Sequence, residues 1–407
     1  MTNQIYTFLH LVFICLLIIS CDSKESVSSS SKTPALLDRP IELYGAEWDQ
    51  VQSKYQECKM NMANDPNDFD DYIKLAEVFM HEARVTGEHG HYYPSALLVL
   101  NKVLEKEKKP TDIRFNALLY KASVMLSQHE FHEAKALSLE AMKINKYNAQ
   151  LYGTLVDALV ELGEYDDAVM MADKMVSLRP DLRSYARISY LREIYGDMNG
   201  AIEAMTMAAE AGYPGLEQTA WAKLTLGELY VKNKEFEKAA LVFQQILEER
   251  ENYPFAIAAL GNLELEKKNY EGAEALLQKA ANIIPEVGYY CDLAKVYKST
   301  DRKAKFDETI EEILVMLKDD VDSGHNMNLE YADLYLNLVK NTDAAEKYAL
   351  REYAKRPNNI DVNKMMAEIL LSKNKVSQAQ SHLDYILTIN KNSTEVVKMK
   401  QELSMTM

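Results

Sequence analysis

"LYGTLVDALVELGEYDDAVMMADKMVSLRP" (residues 151–180) decides the fold, because its layout returns in "LTLGELYVKNKEFEKAALVFQQILE" (224–248) and "ALGNLELEKKNYEGAEALLQKAANIIP" (259–285). Each stretch opens with an apolar run of helical period, turns through a few polar residues and places an aromatic after the turn (Tyr165, Phe236, Tyr270). An alanine follows three positions on (Ala168, Ala239, Ala273), inside a second amphipathic run that ends at or near proline. Extending the alanine column gives Ala96, Ala134, Ala168, Ala201, Ala239, Ala273, Ala345 and Ala379, spaced by 38, 34, 33, 38, 34, 72 and 34 residues. The 72 is two periods of 36, and a degenerate unit (289–317) with Phe306 in place of alanine fills it. One helical hairpin of this kind cannot bury its apolar face alone, so the units must stack.

Leu226-Gly227 with Tyr230 and Phe243, and Leu260-Gly261 with Ala273, Ala280 and Pro285, resemble the tetratricopeptide repeat family. The resemblance covers residues 66 to 395 or so, with weaker units in which Val156 and Ala122 replace the glycine and Lys146 or Lys391 the closing proline. It implies an all-α fold: a right-handed superhelical solenoid of about eight or nine stacked helix-turn-helix units, spring-like, with a concave groove lined by the first helices. The expected organisation is a signal segment at 1–20, a tether at 21–40, a capping helix at 41–66, the solenoid at 67–395 and a C-terminal cap or tail at 396–407. The groove positions of the family fall on Arg183, Tyr190, Glu193, Trp221, Glu228, Phe255, Asn262 and Lys295. Trp221 and Phe255, one period apart, are the expected anchors for a partner, since large aromatics dominate interface energetics; packing between units is the alternative for both.

With 407 residues, 47% hydrophobic content and only 14 Gly and 10 Pro, the chain has material for a large helical core. Its net charge of -16 disfavours nucleic acid, because no basic stripe is segregated from the acidic background. The N-terminal "FLHLVFICLLII" is an apolar run of signal-peptide length, and Ile18-Ile19-Ser20-Cys21 resembles a bacterial lipobox, in which the cysteine receives a diacylglycerol. No Lys or Arg precedes the run, a departure from the usual signal; an N-terminal membrane anchor is the other reading. The serine-rich stretch 22–39 is too polar to pack and reads as a flexible tether with a reach of roughly 20–25 Å. Membrane attachment through a lipid on Cys21, at the bacterial cell envelope, is therefore expected. Cys58 and Cys291 lie in distant repeats, so no disulfide is expected between them.

"TGEHGHYYPSA" (86–96) interrupts the pattern: counted from Leu75-Ala76 and Phe79, the alanine is due near residue 88 and comes eight residues late. The stretch reads as an insertion in the turn of the first hairpin. His89 and His91 there, with His129 and His132 at the next turn and Glu88 and Glu130 beside them, offer imidazole and carboxylate groups of the kind that hold a transition metal. A structured loop in which Tyr92 and Tyr93 pack is the competing expectation. No phosphate-binding loop, zinc-protease, nucleophile-elbow or dinucleotide motif occurs, and "HEFH" is one residue short of the spacing that puts both histidines on one helix face. The sequence thus points to a non-catalytic, lipid-anchored scaffold without cofactors that binds peptide or helical segments of other proteins. A metal-handling protein and a self-associating repeat protein are the alternatives.

Overall fold

The computed structural model describes residues 33–406, so the signal segment, Cys21 and most of the tether lie outside the described residues. The residues from Leu36 on form one compact unit, and every helix among the described residues belongs to it. After a helix α1 (Ala46–Asn64), helices alternate in antiparallel pairs: α2 (Asp70–Thr86) with α3 (His89–Lys106), α4 (Asp112–Ser127) with α5 (Phe131–Ile144), and α6 (Ala149–Glu161) with α7 (Tyr165–Leu178). Next come α8 (Leu182–Ile194) with α9 (Met198–Glu210), α10 (Glu217–Lys232) with α11 (Phe236–Glu249), and α12 (Pro254–Glu266) with α13 (Tyr270–Ile283). The last pairs are α14 (Val287–Ser299) with α15 (Lys303–Asp322), α16 (Asn328–Asp333) with α17 (Thr342–Lys355), and α18 (Ile360–Ser372) with α19 (Val376–Ile389), before a final α20 (Thr394–Thr406). These pairs are hairpins 1 to 9 of an all-α solenoid. Hairpin 8 is irregular, since α16 runs into a π-helical segment, Leu334–Val339.

Each hairpin reverses through one residue in the left-handed region: Gly87, His129, Gly163, Gly196, Lys234, Lys268, Asp301, Lys340 and Asn374, with φ between 54° and 80°. Five residues on, where the second helix presses against the first, stand Ala134, Ala168, Ala201, Ala239, Ala273, Ala345 and Ala379, all fully buried. The small residues admit close approach. A Cβ on Gly227 would sit 2.2 Å from the ring of Phe243, so this pair of helices packs only because α10 carries a glycine there.

The first hairpin corrects the reading of 86–96 as a loop insertion. Only Gly87 and Glu88 separate α2 from α3. The eight additional residues are instead in the helices: α2 has 17 residues and α3 has 18, against 13 and 14 in hairpin 3. Four residues added to each of two antiparallel helices is about one turn each, which lengthens the hairpin without disturbing its register. The position equivalent to the alanine column is accordingly Tyr92, with Ala96 one turn further; both are fully buried.

The solenoid closes on itself. Arg250, between hairpins 5 and 6, reaches Glu47 of α1 at 3.0 Å, and Asn252 donates to the carbonyl of Glu42 at 3.3 Å. Glu286 and Ile284, after hairpin 6, lie against Gly87 in the turn of hairpin 1. After hairpin 7, the amide of Asn326 donates to the carbonyl of Gln128 in the turn of hairpin 2 at 3.0 Å. After hairpin 8, Asn359 donates to the carbonyl of Glu161 (3.1 Å) and the amide of Ile360 to the hydroxyl of Tyr165 (2.8 Å), both at the turn of hairpin 3. After hairpin 9, Asn390 and Asn392 lie against Gly196 in the turn of hairpin 4. The offset is constant: the turn of each of the first four hairpins meets the loop that follows the fifth hairpin after it. One superhelical turn therefore takes about six hairpins, and the second turn is seated on the first along a continuous seam.

Candidate binding channel

Because the turns touch, the concave faces of the first helices enclose a channel. Four contiguous clefts mark its course. The first, of about 490 Å³, lies between α1, α2, α4, α6 and α8, and shares Met80, Arg84, Gln150 and Arg183 with a second of about 480 Å³ that reaches Trp221 on α10. The second shares Leu126 and Asp157 with a third of about 400 Å³, where α4, α6 and α8 of the first turn face α16 and α18 of the second. The third shares Leu329, Glu330 and Asp361 with the largest, of about 780 Å³, between α14, α16, α18 and α20.

Trp221 is 45% exposed in the second cleft, an unusual state for an indole among helices that bury most of their large apolar residues. Arg183 lines the same cleft with no side-chain partner among the described residues. Burial lowers its pKa, and the neighbouring Arg179 and Arg187 add to the effect against the pull of Asp181. Tyr190 opens onto the third cleft; burial there, with Glu161 and Asp361 nearby, raises its pKa. Glu193 is held by Lys232 at 2.5 Å, whereas Glu228 on α10 has no hydrogen-bond or ion-pair partner among the described residues, and burial raises its pKa against the pull of the more distant Lys232. Lys295 lines the fourth cleft; burial works against its charge, but Asp292 at 2.8 Å outweighs this and its pKa is raised. Phe255 differs from Trp221: its ring packs between Tyr253 (5.3 Å between centroids) and Tyr289 (6.2 Å), joining neighbouring hairpins. Asn262 is exposed on the same helix, α12.

The candidate metal ligands go to different surroundings. His89 stacks on Tyr93 at 5.3 Å and faces His325 at 5.9 Å, and burial lowers its pKa to about 4. His91 lies edge-on to Tyr92. His129 contacts the carbonyl of Asn326 (3.0 Å) and His132 that of Lys355 (2.9 Å), so both serve the seam. Among the described residues, no group of three or more His, Cys, Asp or Glu converges in a way that suits a metal ion. Cys58 and Cys291 are free thiols, raised by burial to about 11 and about 12, which keeps them protonated and unreactive.

Sequence reasoning missed the second wall of the channel. Asp361, Lys364 and Glu368 on α18, Glu330 and Asp333 on α16, and Arg356 before α18 all line clefts, yet none of them was among the expected groove positions, which end at Lys295. Arg356 is buried at the seam, pairing with Glu161 and Glu352 and lying over the ring of Phe131 at 4.9 Å. Among the described residues, no helix is long and apolar enough to cross a membrane.

No family model matches the sequence, and no curated protein does. Among solved structures, the chain is similar to the Cut9–Hcn1 hetero-tetramer of APC/C, at 15% identity over 88% of this chain and 60% of that one, with a TM-score of 0.49. The chain thus spans less than two thirds of that relative. It is also similar to the human IFIT1 dimer with PPP-AAAA (12% identity, 88% of each chain, TM-score 0.47). A third similarity is to a tetratricopeptide repeat protein from Parabacteroides merdae (15% identity, 72% of this chain and 98% of that one, TM-score 0.37). None reaches a TM-score of 0.5, and the fold rests on this chain's own nine hairpins.

Proposed function

We propose that the chain is a non-catalytic scaffold that holds an extended segment of another protein in its channel. The observation that carries this reading is the half-exposed Trp221 beside the unpaired Arg183 in a cleft continuous with three others. An indole left open and a guanidinium left without a partner are an apolar anchor and a charged anchor awaiting a ligand, the residue types that dominate interface energetics. Phe255 acts differently, by joining hairpins. A polynucleotide is the less fitting occupant, since carboxylates outnumber cationic side chains along the third and fourth clefts.

The lipobox-like Cys21 supports placing this scaffold at a bacterial envelope membrane, held by an acyl anchor. The channel reading is tested by a photo-crosslinking amino acid placed at Trp221 or, as control, at Leu241, which is 59% exposed on the second helix α11. A defined set of adducts is expected from position 221 and suppressed by Arg183→Ala. Equal labelling from both positions, or none from 221, overturns the reading.

A further inference from the structure

The fourth cleft differs from the rest of the channel in a way that specifies its occupant. Its floor is apolar, made by Val287, Ile313, Leu317, Leu334 and Met365. Its walls carry six carboxylates, Asp292, Glu330, Asp333, Asp361, Glu368 and Glu395, against two ammonium groups, Lys295 and Lys364. Both lysines are engaged, Lys295 by Asp292 (2.8 Å) and Lys364 by Glu395 (2.7 Å). Among the described residues, Asp333, Asp361 and Glu368 have no lysine or arginine at ion-pair distance; Glu330 faces the imidazole of His129 at 3.8 Å through Oε1, while its Oε2 is buried with no hydrogen-bond partner.

The excess is local and does not follow from the chain's overall charge. In the first two clefts, Glu47, Glu77, Asp157 and Glu217 are balanced by Lys54, Arg84, Arg183 and Arg187. The lining of the fourth cleft also draws on the π-helical segment, through Leu334 of the floor and Asn337, an irregularity of the kind that recurs at functional sites. Burial raises the pKa of both Asp361 and Glu368, so the cleft holds these carboxylates at the expense of their charge. A cation seated among them relieves that penalty.

Resting on the channel reading, we propose that the fourth cleft binds a lysine- or arginine-bearing extended segment of a partner protein, its cations against Asp333, Asp361 and Glu368 and its intervening aliphatic side chains on the Ile313–Met365 floor. Two charges placed within a low-dielectric cleft attract far more strongly than on an open surface, and the pleat of an extended chain delivers cationic and apolar side chains to opposite sides. The partner thereby differs from one chosen by Trp221 and Arg183 alone: it is basic along the stretch that reaches the second superhelical turn.

The test uses the full chain and two fluorescein-labelled twelve-residue peptides of alternating sequence, Lys-Leu and Glu-Leu, followed by anisotropy. The Lys-Leu peptide is expected to bind at least tenfold more tightly than the Glu-Leu peptide. Asp333→Asn/Asp361→Asn/Glu368→Gln is expected to weaken it at least tenfold. Glu237→Gln/Glu248→Gln/Glu271→Gln, which removes the same charge from exposed positions on α11 and α13, is expected to change it less than twofold. Equal weakening by both variants means attraction to a negative surface and overturns the proposal, as does no binding or preference for the Glu-Leu peptide. If the triple variant loses its helical circular dichroism, Asp361→Asn and Glu368→Gln singly replace it, each expected to weaken binding about threefold; no change in either overturns the proposal. Trp221 crosslinking that survives such a failure leaves the channel reading standing, so the two fail separately.

Discussion

Replacing Gly163 with alanine isolates the contact between superhelical turns. Gly163 is the reversing residue of hairpin 3, at φ 77°, and a Cβ there would lie 2.1 Å from the carbonyl oxygen of Asn358 and 2.2 Å from its carbon. Both are backbone atoms, so the loop before α18 must move. The left-handed conformation alone costs an alanine about 1 kcal/mol. Moving the loop also breaks the bonds from Asn359 to the carbonyl of Glu161 and from the Ile360 amide to Tyr165, about 1 kcal/mol each, and the charged contact of Arg356 with Glu161, about 2 kcal/mol. The total is about 5 kcal/mol. Lys234→Ala is the control, because Lys234 holds the same turn position in hairpin 5, at φ 61°, and exchanges one Cβ-bearing residue for another. Its effect is expected within about 0.5 kcal/mol. Urea unfolding followed by circular dichroism measures both. A Gly163→Ala cost of about 1 kcal/mol, the strain term alone, refutes the docking of the turns.

Two further outcomes follow from the same geometry, and a third from the proposed acyl anchor at Cys21. Arg356→Met leaves Glu352, which is almost fully buried, with only Asn326 and Asn328 as donors, and is expected to destabilise by about 3 kcal/mol in urea titration; a loss below about 1 kcal/mol contradicts a buried seam pair. Burial, reinforced by Asp320, raises Glu286 from 4.5 to about 7. The folded state thus holds a proton there that the unfolded state has released between these values, and the associated stability is present below pH 4.5 and lost as the pH rises through 7. Glu286→Gln removes the burden of the buried charge, so its melting temperature should exceed that of the parent at about pH 8 and match it at about pH 4; equal differences at both pH values rule this out. Cys21→Ser should move the protein from the membrane to the soluble fraction of bacterial cells, and unchanged partition counts against an acyl anchor.

The hairpins were legible in the sequence because their determinants are local. The alanine five residues past the turn in hairpins 2 to 6, 8 and 9, and the aromatic that starts α5, α7, α11 and α13, recur at fixed spacing whatever the hairpin touches. The lengthened first hairpin was not legible from spacing, since eight residues inserted between two landmarks fit a loop or one extra turn in each helix equally well. The signal that separates them is the apolar face of α2, which continues beyond Phe79 to Ala83 and Val85 and resumes at Tyr92 and Tyr93, all buried. The seam left even less trace. Its contacts join residues about two hundred positions apart through asparagines, glycines and backbone carbonyls, which read as ordinary turn residues until the curvature brings them together. For the same reason, Trp221 and Lys295 were reachable as groove positions, while Glu330, Asp361 and Glu368 on the facing turn were not.

The closure of one superhelical turn on the next is what makes the groove a channel, and amide hydrogen exchange reads it directly. The amide of Asn326 lies in the loop before α16 and that of Ile360 at the first residue of α18, where neither has an intrahelical acceptor; among the described residues they are bonded across the seam, to the carbonyl of Gln128 and the hydroxyl of Tyr165. With the turns docked, both should exchange as slowly as amides within α6 and α18. Exchange at the rate of a free loop contradicts the closed channel.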